Sequence, residues 1–332
     1  MEMESNVEKI PEPNIKLDTI EDRKKVSQEM CSTTLDIFKN IISDMSAKFT
    51  PEYMEQLSKK VYEDDREYPE NFSNWYYHII DFGKFKHAKI ISNQIFTYDE
   101  VQLMKKTDIY DKVDWNSIEK ILQPTLSKME DYRIYNIKNG CFSNKFKFDT
   151  CLASKSNLAK QLWKINYDAS MYGAGGQTEL VVREFIPYND YEIPTIYNGM
   201  PLREEIRVFY NMDRKVLEYM EDYWKYKYCR PNIHNKSDQI VFDWFHNKLK
   251  TRKTQHRELL QKLEDRIWND ISTLKFDDNL KGIWSIDFMY VAETDDLYLI
   301  DMAKGHRSAY WNIDKLTYIS QKEIIQQRRL QK

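Results

Sequence analysis

Residues 282–306 read GIWSIDFMYVAETDDLYLIDMAKGH, two β-rich apolar runs joined by a short polar connection, the pattern of a β-hairpin. Each run carries one carboxylate in its middle, Asp287 in the first and Asp301 in the second. A turn of three or five residues sets the two directly opposite each other, whereas a turn of four sends them to opposite faces as simple solvated groups. Like charges facing each other across a sheet are destabilising, and burial among Trp284, Ile286, Leu299 and Ile300 adds a desolvation cost. A positive charge is therefore expected between them. Mg²⁺, held by both carboxylates together with phosphate oxygens and water, is the economical choice.

Working back from the hairpin, REEIRVFY at 203–210 alternates Glu205, Arg207 and Phe209 on one face with Ile206, Val208 and Tyr210 on the other. One face is charged and one belongs to the core. An arginine fixed on a strand beside a glutamate suits a rigid fork for phosphate oxygens; a solvated Glu–Arg pair is the plainer alternative. Further back, YRIYNIKNGCFSNKFKFDT at 132–150 places Lys138 at the end of a β-run and Lys145 across the following loop.

The chain around these motifs has 332 residues, 41% hydrophobic and 14% aromatic, enough for one large or two moderate domains with a real core. Its 50 basic and 53 acidic residues nearly balance, which gives no global reason for a polyanionic partner. Cys31, Cys141, Cys151 and Cys229 form no C-x-x-C pair, so neither a zinc site nor a disulfide framework is indicated. The start, MEMESNVEKIPEPNIKLD, is acidic and polar where a signal peptide is basic and then apolar, and no uncharged run approaches about 18 residues. The expectation is a cytoplasmic protein with no membrane span.

Residues 1–18 are expected to be a flexible lead-in, followed by a helical region to about residue 130. Within it Leu35, Ile37, Phe38, Ile41 and Ile42 recur at helical spacing, PEYMEQLSKKVYEDD has Pro51 at a helix start, and a further helix is expected over 114–129. A short strand in KIISNQIF precedes Thr97, a helix N-cap with Glu100 three residues on. From 131 to 312 short strands alternate with helical patterns at 154–170 and 256–274, which predicts an α+β domain with a largely antiparallel sheet. A helical tail is expected over 313–332. Gly173, Gly175 and Gly176 cluster in a chain of only eight glycines, marking a tight turn or a mobile lid.

Taken in order, the lysines, LVVREFI, EEIRVF and the two acidic strands resemble the ATP-grasp superfamily. The branch they resemble is the cell division cycle protein 123 family with its bacterial and phage relatives, in which a lysine takes over a usual arginine role. The resemblance covers about residues 80–311. It implies an ATP-grasp fold that binds ATP and Mg²⁺: Lys138 and Lys145 on the α- and β-phosphates, the hinge backbone from Val182 through Arg183 and Glu184 to Phe185 framing adenine, and Glu205 and Arg207 at the nucleotide. Arg207 would sit near the γ-phosphate, and Asp287 and Asp301 would hold the metal. Two positions after the last aspartate the family usually carries an Asn ligand, and this chain has Ala303.

What the resemblance implies about activity is an acylphosphate-forming carboxylate–amine ligase, acting on a carboxylate-bearing small molecule, peptide or protein end, with Lys145 and Arg207 as the catalytic cations. The alternative it implies is an ATP-binding assembly factor for a protein partner, and Ala303 sits better with that. His306 and Arg307 follow the last strand closely enough to reach an acceptor. The stretch 222–257 is basic with interleaved aromatics, a composition that can bind single-stranded nucleic acid. An ordinary helical insertion with Ile240, Phe242, Trp244 and Phe245 packed is the favoured reading, and nucleic acid is placed well behind ATP.

Overall fold

The computed structural model describes residues 50–105, 113–174, 177–186 and 193–330. Leu35 to Ile42, Gly175 and Gly176 lie outside them. The chain divides into two compact units, Met1–Lys60 and Val61–Lys332. A helix over Pro51–Arg66 begins with Pro51 as expected. Among the described residues no helix is long and apolar enough to cross a membrane.

Among the described residues of the second unit thirteen strands follow: β1 (Ile79–Asp81), β2 (Lys86–His87), β3 (Ile90–Ile95), β4 (Tyr135–Asn139), β5 (Leu152–Ala153), β6 (Glu179–Glu184), β7 (Thr195–Ile196), β8 (Met200–Pro201), β9 (Glu205–Asn211), β10 (Val216–Asp222), β11 (Lys275–Phe276), β12 (Ile283–Val291) and β13 (Asp296–Lys304). A five-stranded sheet runs β10-β9-β12-β13-β2, and a four-stranded sheet runs β3-β6-β4-β5. Every pairing in them is antiparallel except β13 with β2. The fold is therefore α+β and largely antiparallel.

Local chemistry sets the helices. Thr97 and Glu100 form a reciprocal capping box, Thr97 N–H donating to Glu100 Oε2 (2.7 Å) and Glu100 N–H to Thr97 Oγ1 (3.3 Å), which starts Tyr98–Lys105. Asp114 caps Trp115–Leu126 by accepting from Ser117 N–H. Leu158–Met171 ends at Gly173, whose φ of +64° is the left-handed conformation that closes a helix. Three helices, Tyr98–Lys105, Trp115–Leu126 and Leu158–Met171, cover one face of the four-stranded sheet through Leu122, Leu162, Ile165 and Val182. A second core joins Ile206, Val208, Ile286 and Phe288 of the five-stranded sheet to Leu263 and Ile267 of the helix Lys253–Asp270.

In the 222–257 stretch, the helix Lys236–Thr251 buries Phe242 and Phe245, as expected. Ile240 and Trp244 do not join them: they are 62% and 52% exposed. In the tail, a helix spans Tyr318–Leu330.

Candidate functional site

The expected hairpin is present, but its turn has four residues, Ala292–Asp295, because Val291 pairs with Asp296. By turn length alone Asp287 and Asp301 would point to opposite faces. They are nevertheless direct partners, because the register shifts between Asp287 and Phe288 and leaves Ile300 as an extra residue on β13. This β-bulge restores the alignment the sequence suggested from a different turn. It also leaves the Ile300 carbonyl outside the ladder, and Arg183 Nη1 donates to it (2.7 Å).

The charge expected between the two carboxylates comes in the first place from the chain. Arg207, register partner of Asp287 on β9, grips it with two parallel bonds, Nε to Oδ1 and Nη2 to Oδ2, both 2.7 Å. Lys138, 1% exposed on β4, crosses from the four-stranded sheet to Asp301, 2.9 Å to Oδ1 and 3.2 Å to Oδ2. A metal is thus not required to explain why two buried-strand carboxylates face each other.

Strand alternation explains which residues reach the site. On β6, Leu180 and Val182 pack under the helices while Val181 packs into the other core, so Arg183 points the way of Val181. Lys138 lies opposite Val181 and shares that direction. On β9, Ile206 and Val208 are core, which sends Glu205 and Arg207 to the other face with Asp287.

These residues converge on one cleft of about 1080 Å³, counting the space open to solvent. Lys145, Arg183, Glu184, Phe185, Glu205, Arg207, Asp287 and Asp301 all line it. Val182 and Lys138 do not: the buried Lys138 side chain is engaged behind the cleft by Asp301, while Val182 is fully buried with its backbone paired to strands on both sides, so its place in the expected hinge is structural. Beyond β6, Phe185 and Ile186 line the cleft outside the strand. His306 and Arg307 lie away from it, exposed, with the Arg307 guanidinium 4.8 Å from the centre of the Tyr68 ring.

Electrostatics in the cleft favour a bound anion. Lys145, Arg183, Arg203 and Arg207 line it against Glu184, Glu205, Asp287 and Asp301, with Lys138 paired to Asp301 from behind. Burial, reinforced by Asp287, pushes the Glu205 carboxyl up to about 8 despite the pull of Lys145 and Arg207. Glu205 is therefore largely neutral at pH 7, and positive charge is in excess. Burial also opposes the charge on Arg207, but Asp287 more than offsets it and the guanidinium pKa lies above its usual value. Burial lowers that of Arg183, with Asp301 working against the shift.

Several cleft residues gave little sign in the sequence. Tyr223 accepts a short hydrogen bond from Lys145 Nζ and lies under Arg207, whose Cζ is 4.8 Å from its ring centre. Asn136 holds Arg183 through Nε (2.8 Å). Asp168, on the helix under the Lys145 turn, accepts from Asn144 (2.5 Å) and Lys147 (2.6 Å) and so fixes the residues on either side of Lys145. Only the aromatic crowding of WKYKYC hinted at Tyr223.

As a cation site the donor set is partial. Among the described residues no group of three or more His, Cys, Asp or Glu is placed to hold a metal. Asp301 is about a third exposed, and Asp287 opposite it has both oxygens engaged by Arg207. Each carboxylate retains lone pairs, so the two fit Mg²⁺ whose remaining ligands come from phosphate and water. Ala303 adds no oxygen on that face.

Fold and site together define an α+β protein whose two sheets bring cations and carboxylates to one cleft. No family model and no curated protein matches the chain. Among solved structures it is similar to Cdc123 from Schizosaccharomyces pombe, with 13% identity over 75% of this chain and 88% of that one and a TM-score of 0.39. It is similar also to the C-terminally truncated form of the same protein, with 14% identity over 73% and 86% and a TM-score of 0.37.

Proposed function

We propose that the protein is an ATP-grasp nucleotide-binding protein that takes ATP with Mg²⁺ into this cleft and acts as a carboxylate–amine ligase. The observation that carries the reading is the meeting of Lys145, Arg183, Arg207, Asp287 and Asp301 in one cleft with positive charge in excess. The motif order that resembles ATP-grasp proteins supports the same assignment.

In this reading Phe185 and Ile186 flank the base, and Lys145 and Arg183 neutralise phosphate oxygens. Asp301 and Asp287 would hold Mg²⁺, which would supply charge neutralisation for the phosphates. Lys145 and Arg207 hold the substrate carboxylate in line with the γ-phosphate, a positioning role typical of phosphoryl transfer. A carboxylate oxygen bonds to the γ-phosphorus, the bond from that phosphorus to the β–γ bridging oxygen breaks, and ADP leaves. An amine nitrogen then bonds to the carbonyl carbon of the acylphosphate, phosphate departs, and the amine gives up a proton.

Two observations favour a second reading, an ATP-binding assembly factor without turnover: Ala303 offers no metal ligand, and each Asp287 oxygen already accepts from Arg207. Coupled detection of ADP separates the two. The ligase releases ADP at a rate that rises at least about tenfold over its basal value once carboxylate and amine are both present, roughly 1.4 kcal/mol of barrier. Nucleotide binding with no ADP released under any carboxylate–amine pair leaves the assembly role.

A further inference from the structure

A second pocket lies against the same face of the five-stranded sheet. It is larger than the cleft, about 1350 Å³ counting its open mouth, and the two share Lys145, Tyr223 and Trp224 as a common wall. Tyr223 meets two cations: Lys145 Nζ, which donates to its hydroxyl, is 4.9 Å from its ring centre and Arg207 Cζ 4.8 Å. A group entering the second pocket therefore meets Lys145, and beyond it the cleft.

The walls of this pocket are aromatic. Phe146 and Tyr228 stand at 50% and 52% exposure, and Tyr197, Tyr310 and Trp311 line the interior. Rings left open around a concave site favour a ligand that covers them. Tyr310 is fixed for this by donating to the Tyr223 carbonyl (2.5 Å), with Tyr228 edge-on to it at 5.4 Å.

Charge adds a second requirement. Lys225 and Lys315 both reach the carboxylate of Glu221, which is 5% exposed on β10. With Lys145 the pocket holds three lysines against this one acid. Its surplus is positive, and a complementary ligand carries carboxylate as well as a ring.

We propose that this pocket binds a peptide segment bearing an aromatic side chain and a carboxylate, the ring seated among Tyr228, Tyr310 and Trp311 and the carboxylate directed to the Lys145 wall. The inference deepens the ligase reading by naming the class of its carboxylate substrate, and rests on it for the use made of that carboxylate. The binding itself does not require ATP.

The test uses full-length protein and acetyl-Phe-Glu, titrated calorimetrically with and without ATP, against acetyl-Ala-Glu and acetyl-Phe-Gln-amide. Acetyl-Phe-Glu is expected to saturate, and each control to bind at least about fivefold more weakly, as for loss of the ring or of both carboxylates. Tyr228→Ala and Lys315→Gln, both changes at exposed positions, are expected to weaken acetyl-Phe-Glu by a similar factor and to leave ATP affinity within about twofold. Absence of saturation up to about 10 mM, a range covering even weak contacts, overturns the proposal. So does equal binding of all three peptides, or binding untouched by both substitutions. If ATP fails to bind the wild type while acetyl-Phe-Glu binds as described, the nucleotide reading falls and the peptide pocket stands.

Discussion

In the five-stranded sheet charge is paired between neighbouring strands, Arg207 with Asp287, whereas the four-stranded sheet sends its cations across the cleft, Lys138 to Asp301 and Arg183 to the Ile300 carbonyl. The first arrangement is built into one ladder and is buried on both sides, 10% and 11% exposed. The second ties two sheets together through one buried partner and one that reaches water, 1% and 32% exposed. The difference separates a pair that holds the fold from contacts that a ligand can rearrange. On the proposed reading, a nucleotide in the cleft would meet Arg183 and the half-open Asp301 end of the Lys138 pair before the two-bond grip on Asp287.

The largest effect is therefore expected from breaking the pair inside the ladder. Arg207→Leu leaves Asp287 buried without its cation and is expected to cost about 3–5 kcal/mol. The denaturant midpoint reads this. Replacing both partners by apolar residues of similar volume is expected to recover most of the loss, and failure to recover would show that the arginine's other contacts, with Tyr223 and the Ala309 carbonyl, dominate.

Lys138→Met removes the cross-sheet contact. Because Asp301 can turn to water, the expected loss is smaller, about 2 kcal/mol. ATP affinity is expected to fall at least about tenfold in the same variant, equivalent to about 1.4 kcal/mol. A stability loss matching that of Arg207→Leu would erase the distinction between the two sheets.

Glu205 sharpens the comparison through pH. Its carboxyl titrates near 4.5 unfolded and about 8 folded, so the folded protein binds the extra proton between those values. Stability contributed by the neutral form is present below about pH 4.5 and is lost as pH rises through 8. Glu205 is half-buried in the cleft wall, and the loss across that window is about 1–2 kcal/mol. Glu205→Gln is expected to flatten the dependence of the unfolding midpoint on pH between 5 and 8; an unchanged slope would remove Glu205 as its source.

The smallest effect is expected from Ala303→Asn, which adds an oxygen two residues beyond Asp301 on the same face of β13. Folding stability is expected to change by less than about 0.5 kcal/mol. The Mg²⁺ concentration that half-saturates ATP binding is expected to drop several-fold.

Much of the site was legible because alternation along strands is a two-state choice. The apolar run Ile206, Val208, Tyr210 fixed the direction of Glu205 and Arg207, and both reach the cleft. The facing of Asp287 and Asp301 was also readable, though for an incomplete reason: the turn has four residues, and a bulge at Ile300 corrects the register. Nothing in an apolar isoleucine within an apolar run marks it as a bulge. The choice of Mg²⁺ as the economical charge between the two carboxylates overlooked the chain's own cations. Lys138 lies 163 residues from Asp301, and a pairing set by the packing of two sheets is invisible to spacing. Trp244 and Ile240 were misplaced for a similar reason, since the side of a helix that packs is decided by a partner surface and not by apolarity alone.

The central claim is that the cleft between the two sheets is a nucleotide site. Calorimetric titration of ATP with Mg²⁺ into the wild type and into Lys145→Met and Asp301→Asn tests it most directly. The account predicts saturable, Mg²⁺-dependent binding by the wild type, weakened at least about tenfold in each variant while both remain folded. Equal affinity in all three proteins, or no binding by the wild type, would contradict it.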